Sequence, residues 1–409
     1  MSGCGAEQGL ITVDQALAKV IASVKSLPSE VLPLKSALNR YLAKDIFSAT
    51  ELPLFSQSAV DGYAICTSHS VKQDEYFELT REIRAGQVVN VALKQGQAVR
   101  IFTGGKIPHG TTTVARQEIV KCNGQTQIQL IQELNLDVDI RHRGEEIELG
   151  QCVANQGQRL HVGAIAALSM LGIEQVEVRA YPKVAVIITG DEITTSIAEL
   201  QAGQVFDANG PMLRAWFADR QQTVEVFHVT DEKEQVKATI AQLAQDYDVI
   251  FTTGGVSVGD YDFIRPVSLE LGFEQIFWKV KQKPGKPMLF AKLARNQQLP
   301  CYLMGLPGNP AAVYVGMQIY GATLLDALQG HKQSINWFTA RLTHPIKADQ
   351  RERFLRMQMM TVHGEIRVSS LAKQQSHMLS NLMQANCLVR IPAGMTLDAG
   401  TCVQGVMIS

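Results

Sequence analysis

Residues 183–192 read KVAVIITGDE, an unbroken apolar run of branched side chains closed by Thr189-Gly-Asp-Glu192. A run so short and so apolar predicts a strand buried on both faces, as in a parallel sheet covered by helices. Its glycine-bearing, acidic end predicts a turn where the chain leaves the sheet. Outward from this stretch the pattern repeats. Asn209, followed by Pro211, predicts a helix start, and the helix carries Leu213, Trp216 and Phe217. Residues 224–229 predict a strand, Asp231 a helix cap, and residues 249–253 a strand again. Residues 276–280, 288–290 and 302–304 predict further strands, and residues 310–328 a closing helix. Such alternation predicts a doubly wound, mostly parallel α/β sheet over residues 181–330. Ligands of such sheets bind beyond the carboxyl ends of the strands.

Four polar segments fall where those strand ends should be: Thr189-Gly-Asp-Glu192, the stretch GGVSVGDYD at 254–262, Lys283-Pro-Gly-Lys-Pro287, and Gly305-Leu-Pro-Gly-Asn-Pro310. Glycines let backbone N–H groups approach an anion closely, and turns of this kind form anion-binding nests. Ser257 adds a hydroxyl donor, and Lys283 and Lys286 are mobile point charges suited to phosphate or another tetrahedral oxyanion. Glu192 and Asp262 supply hard oxygen ligands, which suit Mg²⁺ bridging to phosphates rather than zinc or copper. Singly, a Gly-Gly-x-x-x-Gly is most often a turn, a Lys-Pro-Gly-Lys a solvated loop, and a Pro-Gly-Asn-Pro a helix start. Their recurrence at successive strand ends of one domain is what points to a shared site.

The flanks have a different texture. Thr12-Val-Asp-Gln15 reads as a capping box opening an amphipathic helix to about residue 25. Residues 51–147 alternate short β-rich runs, at 76–79, 98–102, 128–131 and 137–140, with glycine-rich turns. Helical periodicity returns at 160–172, so the β-rich domain reads as an insertion into a discontinuous linker domain, 1–50 and 148–180. The tail, 331–409, predicts strands at 339–345, 354–361, 365–370, 388–391 and 401–406, and a small β-barrel. The inserted domain carries polar motifs of its own: SAVDGYA at 58–64, RIFTGG at 100–105, ARQE at 115–118 and RHRGEE at 141–146.

Composition excludes several classes. A chain of 409 residues predicts several domains. Its 38 basic and 39 acidic residues nearly cancel, which argues against a nucleic-acid footprint and leaves any anion to local groups. No apolar run approaches the roughly 20 residues that span a bilayer. The opening MSGCGAEQG lacks the basic and apolar regions of a secretory signal, so a cytoplasmic, membrane-free protein is expected. Seven scattered cysteines without a CxxC, and nine histidines without HxH or HExxH, give no disulfide, zinc or iron–sulfur spacing.

The motifs in order, SAVDGYA, RIFTGGKIPHG, ARQE, RHRGEE, TGDE, GGVSVGDYD, KPGKP and GLPGNP, resemble the molybdopterin molybdenumtransferase (MoeA) family, related to the gephyrin E domain. The resemblance spans nearly the whole chain. It implies four domains and an elongated homodimer, with the discontinuous domain mediating dimerisation. Each active site would be shared between the α/β domain of one subunit and the first two domains of the other. It further implies Mg-dependent insertion of molybdate into adenylyl-molybdopterin with release of AMP, forming molybdenum cofactor. A molybdopterin adenylyltransferase and acceptor molybdoenzymes would be transient partners. By the resemblance Asp61, Thr103, Glu192 and Asp262 are catalytic, with Glu192 and Asp262 at the metal and phosphate end. Gly190, Asp191, Gly254, Gly255, Ser257, Gly259, Lys283 and Lys286 would hold the anions, and Pro307, Gly308, Asn309 and Pro310 the pterin. Asp61, Thr103 and Glu146 would reach in from the partner subunit, and Ser376 would line the cleft. The chain departs from the family pattern in three places: Gly144-Glu-Glu146 for Gly-Glu-Asp, Thr103-Gly-Gly105 for Thr-Gly-Ala, and Asn386-Cys387 for Asn-Gly. Two other readings are an adenylyltransferase, whose single domain resembles residues 181–330, and a molybdopterin-binding scaffold. The flanking β domains and the retained acids favour insertion over either.

Overall fold

The computed structural model describes residues 10–87, 92–198, 200–257, 259 and 262–408. The N-terminal nine residues lie outside these, as do Val258, Asp260 and Tyr261 of the 254–262 segment.

The 183–192 stretch forms the strand Val184–Thr189, buried along its whole length. It lies inside a six-stranded sheet ordered Glu225–Val229, Val184–Thr189, Val249–Thr253, Cys301–Leu306, Leu289–Leu293, Glu274–Trp278. The first four strands are parallel. Leu289–Leu293 runs antiparallel to both its neighbours, because residues 294–300 are too few for a crossover and can only turn the chain back, and Glu274–Trp278 beyond it runs in the direction of the first four. Helices Val13–Ser23 and Asn209–Asp219 and the long helix after Pro310 pack on one face; Lys233–Asp246 and Ile264–Glu270 pack on the other. That two-faced cover is why the central strands carry almost nothing but apolar residues.

The helix after Pro310 runs as Pro310–Gly316, a π-helical turn Met317–Gly321, and Ala322–Leu328. Among the described residues it alone is long and apolar enough to cross a membrane, and 78% of that stretch is buried inside the fold. It is packed here as a core helix.

Two local expectations fail. Asp231 does not cap the helix Lys233–Asp246, whose cap is Glu232 without a side-chain bond. Residues 137–140 are not a strand. Asp137 and Asp139 take φ of 62° and 56°, a left-handed conformation that short polar side chains tolerate, and only Ile140–Arg141 pairs.

At the N-terminus the capping box forms in both directions. The Thr12 N–H donates to Gln15 Oε1 at 3.0 Å, and the Gln15 N–H to Thr12 Oγ1 at 3.2 Å. Strand Ser29–Pro33 pairs with Gln175–Arg179, and Ile46–Phe47 with Cys152–Ala154, so segments on either side of the β-rich stretch share one unit. Between them stands a six-stranded sheet that includes Gly62–Ile65, Gln97–Ile101 and Tyr76–Ile83. In the tail, Glu352–Val362 pairs with both Glu365–Ser370 and Cys387–Ile391, which closes a small barrel. The short strand Gln282–Lys283 adds in parallel to that barrel's strand, tying the lysine turn to the C-terminal domain.

Candidate active site

Three neighbouring parallel strands end level with one another. Ile188 stands opposite Thr253, and Thr253 opposite Leu306, so the turns at Gly190, Gly254 and Pro307 emerge side by side. The Gly254 N–H donates to the Leu306 carbonyl at 3.0 Å, stitching two of the turns together. Gly254 has φ +93°, and a Cβ there would stand 2.7 Å from Thr189 Oγ1; only glycine fits. Asn209, at the start of its helix and 6% exposed, donates from Nδ2 to the Gly308 carbonyl at 2.9 Å. Asn209 Oδ1 and the hydroxyls of Thr252 and Thr253 are buried without a hydrogen-bond partner among the described residues. Buried polar groups are rarely left so. Thr252 and Thr253 end the strand just before the Gly254 turn and Asn209 clamps the Pro307 turn, so these unpaired atoms lie beside the turns on both faces of the sheet.

Carboxylates gather at the same edge. Asp191 Oδ1 accepts the Asp231 N–H at 3.2 Å. Asp231 lies at the end of the adjoining strand, and its carboxyl is held above its ordinary range by burial and then by the carboxylates of Asp191 and Glu192. Glu192 is exposed and folds back beside Gly190. Asp262 closes its own loop: Oδ2 accepts the Gly259 N–H at 2.7 Å and its N–H donates to the Gly259 carbonyl at 3.1 Å. Ser257 and Gly259 are exposed on that loop. Among the described residues no group of three or more His, Cys, Asp and Glu side chains converges tightly enough to cage a metal. The donors are nevertheless hard oxygens, and a cation would relieve the repulsion from Asp191 and Glu192 that adds to burial in raising Asp231. Mg²⁺ commonly takes one or two carboxylates with substrate phosphates and water completing the shell, so the residues fit it in that mode and not as an all-protein site.

The C-terminal barrel supplies another wall. Lys283 pairs its ammonium with Asp349 Oδ2 at 3.1 Å. Asp349 is held below its ordinary range by the Arg351 N–H first and by Lys283 after it. The Lys286 carbonyl accepts the Val280 N–H at 2.9 Å, and the side chain is half-buried. Ser376 reaches the helix that follows the Pro307–Gly308–Asn309–Pro310 turn, its carbonyl accepting the Ala311 N–H at 3.3 Å. The loop around Ser376 hangs on Arg356, 1% exposed, which donates to the carbonyls of Lys373 at 3.2 Å, Gln375 at 3.1 Å and Met378. Asn386 and Cys387 belong to the barrel's packing. The Asn386 amide pairs with the Met359 backbone, and Cys387 is buried with its thiol pushed up to about 12.

The inserted unit builds a second cluster. Asp61 Oδ1 accepts both the N–H and the hydroxyl of Thr103, each at 2.8 Å. Those bonds, with the nearby Arg100, hold the exposed Asp61 carboxyl below its ordinary range, the Thr103 N–H contributing most. Next to Asp61, Gly62 lets its strand press against Thr113–Arg116; a Cβ on Gly62 would sit 2.0 Å from the Ala115 carbonyl oxygen. The RHRGEE segment arrives on the strand Ile140–Arg141, paired with Gln57–Ser58. It leaves Glu146 exposed, its N–H bonded to the Leu52 carbonyl at 2.9 Å. The hydrogen bonds of Asp61 and Thr103 among the described residues stay inside the inserted unit, and its sheet is separate from the α/β sheet.

Asp231, the clamp from Asn209 and the anchor Arg356 were not singled out as site residues from sequence. Asp231 could have been, since it too follows a strand; its reading as a helix cap hid it.

Comparison with known proteins covers all these parts. Residues 11–172 match the MoeA N-terminal region (domain I and II), residues 185–327 a probable molybdopterin binding domain, and residues 339–407 the MoeA C-terminal region (domain IV). A molybdopterin molybdenumtransferase of Haemophilus influenzae is 34% identical over 390 residues, covering 93% of this chain and 94% of its own length. One from Bacillus subtilis is 29% identical over 418 residues, covering 97% and 94%. Among solved structures, a molybdopterin biosynthesis protein from Pyrococcus horikoshii superposes with a TM-score of 0.76 at 28% identity, covering 97% of this chain and 99% of that one.

Proposed function

We propose a function from one premise: the chain belongs to the molybdopterin molybdenumtransferase (MoeA) family. It is a transferase of molybdenum cofactor biosynthesis. Its reaction is the insertion of molybdate into adenylyl-molybdopterin, with Mg²⁺ present and AMP released. The observation that carries this reading is the side-by-side emergence of the Gly190, Gly254 and Pro307 turns over buried, unpaired polar atoms. Such an edge suits a ligand with several anionic groups in a row, as a pterin joined to AMP through a pyrophosphate has.

The residues divide the work by their chemistry. Backbone N–H groups of the 254–259 turn and the Ser257 hydroxyl receive phosphate oxygens. Lys286, with Lys283 beside it, draws the molybdate dianion out of water. Glu192 and Asp262 would hold Mg²⁺, which when bound neutralises charge as the phosphoanhydride opens. The Asn209–Gly308 clamp keeps the 307–310 turn shaped for the pterin. Asp61, kept ionised by Thr103, is the remaining carboxylate placed to accept a proton.

The enzyme acts as a homodimer, and Asp61, Thr103 and Glu146 enter the site from the partner subunit. Support comes from the surface of the discontinuous first unit. Its helix Val162–Met170 is apolar on every side, yet Val162 is 73% and Met170 61% exposed. A helix of that composition is normally covered. The near-neutral charge and the burial of the one long apolar helix fit action in the cytoplasm, apart from nucleic acid and membrane. The test is AMP release from adenylyl-molybdopterin on adding molybdate, with and without Mg²⁺. Release that needs both is expected; unchanged AMP levels with the pterin bound would overturn catalysis in favour of a binding role.

A further inference from the structure

Beneath the Lys283–Pro287 turn lies a polar pair that no motif marks. Gln282 is completely buried, and so is Tyr320. The Tyr320 hydroxyl donates to Gln282 Oε1 at 2.5 Å. Gln282 Nε2 in turn donates to the Pro284 carbonyl at 3.1 Å and the Gly285 carbonyl at 3.3 Å. Both N–H groups of the amide and its oxygen are thus spent, two of the bonds on the backbone between the lysines. Gly285 closes over the amide so tightly that a Cβ there would stand 3.0 Å from Nε2.

The source of Tyr320 gives the pair its reach. It belongs to the π-helical turn Met317–Gly321, in the helix that begins at Pro310, directly after the Pro307 turn. A π turn inserts one residue into the helical register, and such turns are frequent at functional sites. Gln282 itself lies in the strand pairing with the barrel at Glu352, and its carbonyl accepts from Arg351 at 3.4 Å. One buried amide therefore joins the helix after the pterin turn, the barrel edge and the lysine turn. Apolar side chains of the same volume would fill this space without the desolvation that a buried amide and phenol incur. Retaining a fully satisfied polar network there specifies geometry.

We propose that Gln282 and Tyr320 are positioning residues that set the backbone between Lys283 and Lys286 for oxyanion binding. This rests on the anion role given to those lysines. It is tested in the full-length protein by equilibrium binding of molybdate and, in parallel, inorganic phosphate, with melting temperature and steady-state kinetics alongside. The variants are Tyr320→Phe, Gln282→Met and, as a benchmark, Lys286→Ala. Tyr320→Phe keeps the ring and strands only the amide oxygen, so it should fold. Expected is a loss of molybdate affinity of about tenfold, the size of one buried hydrogen bond. It should appear as a raised KM for molybdate with kcat changed less than about twofold, the pattern of lost ground-state binding. Molybdate and phosphate affinities like those of the unaltered protein, with only the melting temperature lowered, would overturn the positioning role. Lysine-dependent anion binding that weakens in Tyr320→Phe, in a protein that releases no AMP, would instead overturn the proposed reaction and leave the positioning role standing.

Discussion

The two polar centres of this chain are built on opposite plans. At the ends of the α/β strands the turns are forced by glycine, acids crowd one another, and buried polar atoms of Asn209, Thr252 and Thr253 lack partners among the described residues. In the inserted unit Asp61 is exposed, and its Oδ1 takes both bonds from Thr103. The first centre leaves buried polar atoms unpaired among the described residues. The second holds an exposed carboxylate in place through one of its oxygens. On the proposed function, unpaired buried polar atoms mark where a ligand binds, and the fixed, ionised acid is a group presented to a site on the partner subunit.

That contrast can be broken most severely at the strand ends. Glu192→Ala and Asp262→Ala should each lower molybdate-dependent AMP release by about 10³-fold, the upper range for removing one preorganised electrostatic group. Both variants should stay folded and dimeric by size-exclusion chromatography, although Asp262→Ala also frees the Gly259 N–H. Turnover near that of the unaltered enzyme in either variant would remove that residue from the metal end. Next comes the scaffold of the second centre. Gly62→Ala should cost about 3 kcal/mol or more in a denaturant melt, because its Cβ would overlap a backbone carbonyl that cannot move without breaking the sheet. A loss below about 1 kcal/mol would mean the sheet yields, and the second centre is less rigid than drawn.

The smallest effect sharpens the contrast. Thr103→Ala removes one of the two bonds on Asp61, so the carboxyl should titrate higher than in the unaltered protein, read by NMR. The sign follows from the depressed value: the pair's stabilisation is present above the ordinary carboxylate range and fades as pH falls through the folded-state value. An unchanged Asp61 titration would show that the backbone bond alone sets the acid. A drop of about tenfold or less in turnover should accompany the shift.

Sequence made the first centre legible and the second almost not. Strand ends at Thr189, Thr253 and Leu306 follow from apolar runs that stop at glycine or proline, and that pattern survives intact in the fold. The capping box at Thr12 and the closed barrel were equally readable, since both rest on local periodicity. What failed was backbone conformation chosen by short acids: Asp137 and Asp139 turn the chain where alternation suggested a strand. The role proposed for Asp61 has no local signature beyond an Asp-Gly pair, and only the ordered set of motifs points to it. Gln282 and Tyr320 were invisible, because they meet across 38 residues of chain and neither belongs to a pattern.

If the proposed homodimer shares its sites, the Asp61 centre of one subunit completes the strand-end centre of the other. Mixing two inactive variants, Asp61→Asn and Glu192→Ala, under conditions that exchange subunits tests it directly. If the site is shared, each mixed dimer holds one intact site and one doubly damaged site. Random exchange should then restore about a quarter of the activity of the unaltered enzyme. Mixed dimers confirmed by mass, with activity no higher than that of the separate variants, would place both centres in the same subunit and rule out a shared site.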